Sequence, residues 1–142
     1  MKKTILSVFV LAAMAIFSSC NKHEENFKKP DENSMCPDSN ISKVLKVEGP
    51  ISIEINKELI LKVSYQAHNG CVGLCKFSEL INGNTTQITA LTSERKSEGL
   101  ACIQVILTNT TDYKFIRSTP GNYVLKFYQS DNTFITHNVT VK

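Results

Sequence analysis

The strongest constraint on the fold is a two-residue alternation of apolar and polar side chains. Between residues 51 and 67 the apolar residues fall almost entirely on odd positions. The same odd-numbered pattern returns near the end of the chain, at Tyr123, Leu125, Phe127, Ile135, Val139 and Val141. Because successive side chains of a strand point to opposite faces of a sheet, this alternation predicts β-strands whose odd positions are buried.

Turn-forming residues separate the alternating runs. They include Gly49-Pro50, Asn69-Gly70, Asn82-Gly83-Asn84, Pro120-Gly121 and Asp131-Asn132. They predict nine strands, near residues 42–48, 51–55, 58–67, 74–81, 85–92, 100–108, 112–117, 122–129 and 133–141. No segment has the apolar stripe of an amphipathic helix. The apolar face of each sheet therefore has no helix to pack against and must be buried on another sheet. The sequence therefore predicts an all-β fold of two packed antiparallel sheets, with a small barrel as the alternative.

The first residues have the order of an export signal. Two lysines precede an apolar run from Ile5 to Phe17, and two serines lead from that run to Cys20. The run is too short to cross a bilayer, which needs roughly 20 apolar residues. It therefore predicts a signal peptide over residues 1–19 that is cleaved during export.

The end of this segment, Phe17-Ser18-Ser19-Cys20, resembles the lipobox of bacterial lipoproteins. The resemblance implies that Cys20 becomes the lipidated first residue of the mature protein, carrying diacylglycerol and palmitate. Two or more acyl chains hold a protein stably on a membrane. The alternative interpretation is an ordinary signal peptide with a chance cysteine at its end.

Residues 20–35 are predicted to be a flexible tether between the anchor and a folded domain at residues 36–142. Seven of the fifteen residues from Asn21 to Met35 are charged, which is too polar to bury a core. Within the tether, Lys22 followed by Glu24 and Glu25 resembles the surface-export signal of Bacteroidota lipoproteins. A solvated linker with charges in no special order is the alternative.

The charge balance argues against nucleic acid as a partner. Removal of Lys2 and Lys3 with the signal peptide leaves 14 basic against 13 acidic residues, interspersed along the chain. A phosphate backbone requires a basic stripe that releases counterions on binding. The mature chain has no such stripe.

The predicted domain contains Cys36, Cys71, Cys75 and Cys102, an even number in an exported protein, which predicts two disulfides. On one extended strand Cys71 and Cys75 would lie about 13 Å apart, beyond the roughly 7 Å that a disulfide spans. Their pairing is therefore disfavoured. Of the two remaining arrangements, we favour Cys71 with Cys102 and Cys36 with Cys75, and the other stays open.

The sequence predicts no metal site, cofactor or catalytic residue. The cysteines have no Cys-x-x-Cys spacing, which argues against a metal site. A zinc ion held by cysteine thiolates and His68 is the alternative to the disulfides. A catalytic cysteine needs a partner base, and His23, His68 and His137 are the only histidines. His137 fits better as a partly buried histidine at a sheet end. Paired carboxylates, phosphate-binding glycine loops and Gly-x-Ser-x-Gly elbows are absent.

A family resemblance rests on Asn69-Gly70-Cys71, Cys102-Ile103-Gln104, the run from Pro120 to Phe127, and Phe134-Ile135-Thr136. These stretches resemble a group of small, largely uncharacterised Bacteroidota lipoproteins. The resemblance implies an immunoglobulin-like β-sandwich of Greek-key topology, in which Tyr123 braces a corner between the sheets. Cys75 departs from the family pattern, so the resemblance does not supply the disulfide pairing.

These observations predict a noncatalytic, lipid-anchored binding module of the bacterial envelope. We expect an outer-membrane lipoprotein, either on the cell surface or facing the periplasm, that meets an unidentified protein or glycan. Residues 82–86 and 108–112 are predicted polar loops that could carry recognition, although turns need the same residue types. One alternative is a periplasmic assembly or inhibitor-like factor that acts on another exported protein. A hydrolase with an unrecognised site is the remote alternative.

Overall fold

The computed structural model describes residues 36, 38–94 and 101–142, and within them the chain forms nine strands and no helix. The predicted signal peptide, Cys20 and the tether lie outside the described residues. No helix of the described part is long and apolar enough to span a membrane. The strands are β1 (Asn40–Ser42), β2 (Val44–Glu48), β3 (Ser52–Ile53), β4 (Leu59–Ala67), β5 (Val72–Asn82), β6 (Thr85–Glu94), β7 (Leu107–Phe115), β8 (Gly121–Tyr128) and β9 (Phe134–Val141).

The strands form two sheets, which confirms the predicted all-β sandwich. The larger sheet has the order β5-β6-β8-β9-β3. The short β1 also belongs to it and pairs with the end of β6, next to the part of β6 that pairs with β8. The smaller sheet has the order β2-β4-β7. The sheets are not wholly antiparallel, because β6 pairs with β8 and β3 with β9 in parallel. Between β6 and β8 the chain crosses to the other sheet and forms β7 there. When it crosses back as β8, it therefore runs parallel to β6.

The core lies between the sheets and follows the predicted alternation. On β4, β8 and the end of β9 the odd positions are buried, as expected. The buried apolar cluster is Val44, Leu59, Leu61, Val63, Tyr65, Ile88, Ala90, Tyr113, Phe115, Tyr123, Leu125, Phe127, Val139 and Val141. At its centre Tyr113 packs edge-to-face against Phe77 and Phe127, with ring centroids 5.2 and 5.3 Å apart. Such aromatic pairs add stabilisation beyond the apolar area they bury.

Tyr113 brings a polar group into this core. Its hydroxyl donates to Glu79 Oε1 at 2.8 Å. Burial raises the pKa of Tyr113 well above its ordinary value, and the negative charge of Glu79 raises that pKa further. The phenol therefore stays a neutral hydrogen-bond donor across physiological pH and ties β7 to β5.

Tyr123 forms the corner that the family resemblance implies. Its hydroxyl donates to the backbone oxygen of Thr119 at 3.0 Å and lies 2.9 Å from the Thr119 hydroxyl. Arg117 covers the corner, because its guanidinium lies 4.7 Å from the centre of the Phe115 ring and 5.6 Å from that of Tyr123. These contacts fix the crossing from β7 in one sheet to β8 in the other.

Two of the predicted turns close tight hairpins. Asn82 pairs with Thr85 across a two-residue turn, in which Gly83 has a φ of 56°. Between β8 and β9, Asp131 and Asn132 have φ angles of 49° and 59°. The second turn is of type I′, which needs positive φ at both central residues, and Asn and Asp tolerate it better than most residues. In the first turn only Gly83 has a positive φ, as in a type II′ turn.

The strand predicted at residues 100–108 and the loop predicted at 108–112 are wrong. Residues 101–106 belong to no strand, whereas β7 runs without a break through the threonine-rich segment. The side chains of Thr108, Thr110 and Asp112 lie on the outer face of the small sheet, where the last two meet side chains of β4. Thr110 Oγ1 lies 2.9 Å from Ser64 Oγ, and Lys62 Nζ donates to Asp112 Oδ1 at 2.6 Å. Cross-strand pairing therefore overrides the turn propensity of these residues.

Candidate binding surface at the disulfide-linked end

Two disulfides lie at one end of the sandwich, where β4 turns into β5. Cys36 is bonded to Cys75 with their Cα atoms 5.9 Å apart, and Cys71 to Cys102 with theirs 5.4 Å apart. This is the pairing that the sequence favoured. The first bond ties the start of the described chain to β5, and the second ties residues 101–106 to the turn between β4 and β5. Each closes a loop of more than 30 residues and contributes about 2–4 kcal/mol to stability.

Asn69 organises the turn between β4 and β5. Its side chain is buried, its Oδ1 accepts the backbone N–H of Cys71 at 2.9 Å, and its Nδ2 donates to Glu94 Oε1 at 2.6 Å. The ring of His68 also contacts that carboxylate, with Nε2 3.0 Å from Oε1. The end of β6 is thereby bound to the turn. The predicted zinc alternative at His68 has no support, because the described residues contain no cluster of three metal-ligating side chains.

Gly70 allows residues 101–106 to lie directly on this turn. Its backbone N–H donates to the Ile103 oxygen at 3.0 Å. A Cβ atom at this position would come within 2.6 Å of Ile103 Cγ1, so a larger residue would require the Ile103 side chain to shift. The segment that begins at Cys102 is therefore held by one covalent bond and one backbone hydrogen bond.

The held segment presents apolar side chains to solvent. Ile103 is 63% exposed, Val105 is 46% exposed, and Ile106, next to β7, is 67% exposed. Single exposed apolar residues are common, but a run of them on a fixed loop is typical of an interaction site. We call Ile103 and Val105, together with a pocket at the same end of the sandwich, the candidate binding surface.

The pocket is shallow, has a volume of about 170 Å³ and opens where β1, β4 and β6 meet. It is lined by Asn40, Ile41, Ser42, Lys43, Gln66, His68 and Thr92. Its hydroxyls are engaged within the fold, since that of Ser42 donates to the Gln66 oxygen and that of Thr92 to the Asn40 oxygen. The lining is thus mainly neutral and polar.

The other residues singled out in the sequence lie elsewhere. Residues 82–86 form the hairpin turn between β5 and β6, at the opposite end of β5 from the disulfides. His137 lies in β9, partly buried as predicted, and its Nε2 donates to the Pro50 oxygen at 3.0 Å. Sequence reasoning missed Ile103 and Val105, because it placed them inside a strand. It also missed the pocket, because the strand pairing that builds it spans distant parts of the chain.

One comparison with known proteins identifies a family. The model of the ORF11 beta-sandwich domain matches residues 61–141, which is more than half of the chain. The chain belongs to the ORF11 beta-sandwich family. No curated protein and no solved structure matches it.

The ORF11 match runs from within β4 to the last residue of β9, so it includes both sheets. It contains Cys71, Cys75 and Cys102, whereas Cys36 and the strands β1, β2 and β3 precede it. The Cys71–Cys102 disulfide is therefore internal to the ORF11 domain. The Cys36–Cys75 disulfide fastens the preceding segment onto that domain.

Proposed function

We propose that this chain is a noncatalytic, lipid-anchored binding module of the bacterial envelope and that it binds its ligand through the candidate binding surface. The proposal includes acylation at Cys20, an outer-membrane address and a relationship to Bacteroidota lipoproteins. The ligand is a protein or glycan. The support for the anchor is the order of residues in the first twenty positions.

The observation that carries the binding function is the exposed pair Ile103 and Val105 on a loop that Cys102 fastens to Cys71. A fixed loop loses less conformational freedom when a ligand binds, so more of the contact energy appears as affinity. At the same end of the sandwich, the amide side chains of Asn40 and Gln66 line the pocket and can orient a ligand through hydrogen bonds. Apolar contact beside a few polar groups is the usual composition of a specific interface.

Binding is favoured over catalysis by the surroundings of the titratable groups at this end. His68 and Glu94 are both exposed and contact each other, and Asn69 binds the same Glu94 oxygen. A histidine base held by a carboxylate would also need a nucleophile beside its other ring nitrogen, and the cysteines at this end are bound in disulfides. Hydrolysis at an unrecognised site remains the remote alternative.

The location of the domain tests this role against that of a periplasmic assembly or inhibitor-like factor. We expect proteinase K to cleave the folded domain on intact cells, because the charged tether at Lys22, Glu24 and Glu25 resembles a surface-export signal. Lysed cells provide the control for cleavability, and a known periplasmic protein reports on leakage. Protection until lysis would favour the periplasmic alternative.

Substitution at the candidate binding surface tests binding directly. The probes are a printed glycan array and a panel of purified mucin, fibronectin and laminin. We expect at least one probe to bind the wild-type protein and to bind I103D at least about tenfold more weakly, because the charge removes apolar contact worth more than about 1.4 kcal/mol. I51D is the matched control, since Ile51 is equally exposed and lies beside β9. Equal binding by I103D and the wild-type protein would place the ligand site elsewhere.

A further inference from the structure

The four edges of the two sheets differ in how well they are protected against pairing with another strand. The edge strand β3 has only two residues, and β2 has five with a register shift between Val44 and Lys46. The third edge strand, β5, has a register shift between Leu74 and Lys76, and Cys75 there is bonded to Cys36. Short strands, bulges and covering segments are the devices by which natural proteins protect sheet edges.

The fourth edge strand, β7, is long and regular. It pairs with β4 in unbroken register from Leu107 opposite Ala67 to Phe115 opposite Leu59. Within residues 38–94 and 101–142 its other side pairs with no strand. The strand contains no proline and no bulge. Alternate residues of such an edge strand direct their N–H and C=O groups away from its partner, so an added strand can hydrogen-bond to them.

We propose that β7 is a dimerisation edge, which pairs antiparallel with β7 of a second copy of this chain around Thr111. The three-stranded sheets of the two copies then join into one sheet of six strands. In this register Leu107 lies opposite Phe115 of the second copy, and Ile106 lies opposite Ile116. The contact is isologous, which is the arrangement of most soluble homodimers.

The sequence around Thr111 is self-complementary in this register. Ile106 is 67% exposed and Ile116 is 53% exposed, and these two residues lie at equal distances from Thr111. Antiparallel pairing places Ile106 of each copy against Ile116 of the other, so both side chains leave water at each end of the contact.

The charges of β7 are also compatible with a second copy. Thr110 falls opposite Asp112 of the other chain, and Thr108 falls opposite Lys114. Like charges directly opposite each other would weaken the pairing, and this register contains none. Within each chain Asp112 is paired with Lys62, and Lys114 with Glu58, at 2.6 and 3.1 Å. These charges are already neutralised when the strands meet.

A charge exchange across the contact tests the proposal by sedimentation equilibrium of the mature acylated protein in density-matched detergent. We expect a dimer for the wild-type protein and for the control I51K. I106K and I116E should each weaken dimerisation by at least about tenfold, because each change acts at both ends of the symmetric contact. The double variant I106K/I116E should recover most of the dimerisation affinity that the single variants lose. In it each introduced lysine faces an introduced glutamate of the other copy.

Oxidative trapping tests the register. In the proposed dimer T111C faces itself across the twofold axis with a Cα separation of about 4.5–5.5 Å, within the span of a disulfide. We expect a covalent dimer on a non-reducing gel for T111C, whereas the control T108C should stay uncrosslinked because its two copies lie six residues out of register. A monomeric wild-type protein at every concentration measured, or a dimer that I106K and I116E leave intact, would overturn the proposal. Equal trapping of T108C would overturn the register.

Discussion

Replacement of Cys20 by alanine should abolish the incorporation of labelled palmitate into this protein. The thiol of Cys20 is the predicted acceptor of the lipid, and no other cysteine of the chain follows an apolar run like that from Ile5 to Phe17. The measurement is metabolic labelling with an alkyne analogue of palmitate, followed by immunoprecipitation from cells that express the wild-type protein or C20A. We expect the label to disappear completely, because the diacylglycerol is attached through the Cys20 thiol and alanine has no such group.

The matched control for this experiment is C102A. Cys102 is bonded to Cys71 in the folded protein, so its removal should leave the labelling unchanged. Persistence of the label in C20A would refute the lipoprotein proposal and leave an ordinary cleaved signal peptide. Loss of label in both variants would indicate that the protein had been degraded, and a blot against the folded domain distinguishes that case.

Replacement of Phe127 by alanine should lower the free energy of unfolding by about 3–5 kcal/mol. Phe127 is fully buried in β8, and its ring packs edge-to-face against Tyr113, 5.3 Å away. The substitution removes the apolar contacts of the ring and leaves a cavity at the centre of the sandwich. Because close-packed interiors collapse only in part around such a cavity, the loss exceeds the transfer energy of the ring. Urea denaturation monitored by circular dichroism measures it.

Tyr128 provides the control, because it is the next residue along the same strand and points to the opposite face. There it is only partly buried, and its ring lies 6.0 Å from that of Phe134. We expect Y128A to cost about 1 kcal/mol, within the range of an aromatic cross-strand pair. Equal losses for F127A and Y128A would contradict the assignment of odd positions to the core.

The alternation of side chains was sufficient to predict which residues build the core. It placed Leu61, Val63 and Tyr65 of β4 on one buried face, and Leu125 and Phe127 of β8 on another, and both assignments are confirmed. This works because a half-buried strand must expose every second side chain, whatever strand it pairs with. The tight turns at residues 83 and 131–132 were equally readable, since the residues that tolerate positive φ are few.

Pairing between distant strands could not be read in the same way. β7 is polar on one face and threonine-rich throughout, so its local sequence resembles a loop until Ser64 and Lys62 of β4 are placed beside it. The parallel pairing of β6 with β8 depends on the intervening passage of β7 through the other sheet. Neither fact is contained in a window of neighbouring residues.

The candidate binding surface was the least predictable part for the same reason. Ile103 and Val105 look like strand residues in sequence, but the disulfide of Cys102 with Cys71 and the hydrogen bond from Gly70 to Ile103 hold them in an exposed loop. The pocket at the same end combines residues near positions 40, 66 and 92, which meet only when the register of three strands is known. The cysteines gave the one usable signal, because they marked the end of the sandwich at which the loops converge.

The order of the strands has a consequence for a chain that is exported with its N-terminus first. All four domain cysteines precede β8 and β9, which contribute Leu125, Phe127 and Val139 to the core. If the chain is exported as proposed, its thiols reach an oxidising compartment before the polypeptide that completes the larger sheet. Covalent crosslinking can then outpace the packing that selects the correct partners. We therefore expect efficient maturation of the exported protein to depend on an isomerase that reopens wrong bonds until the last hairpin arrives.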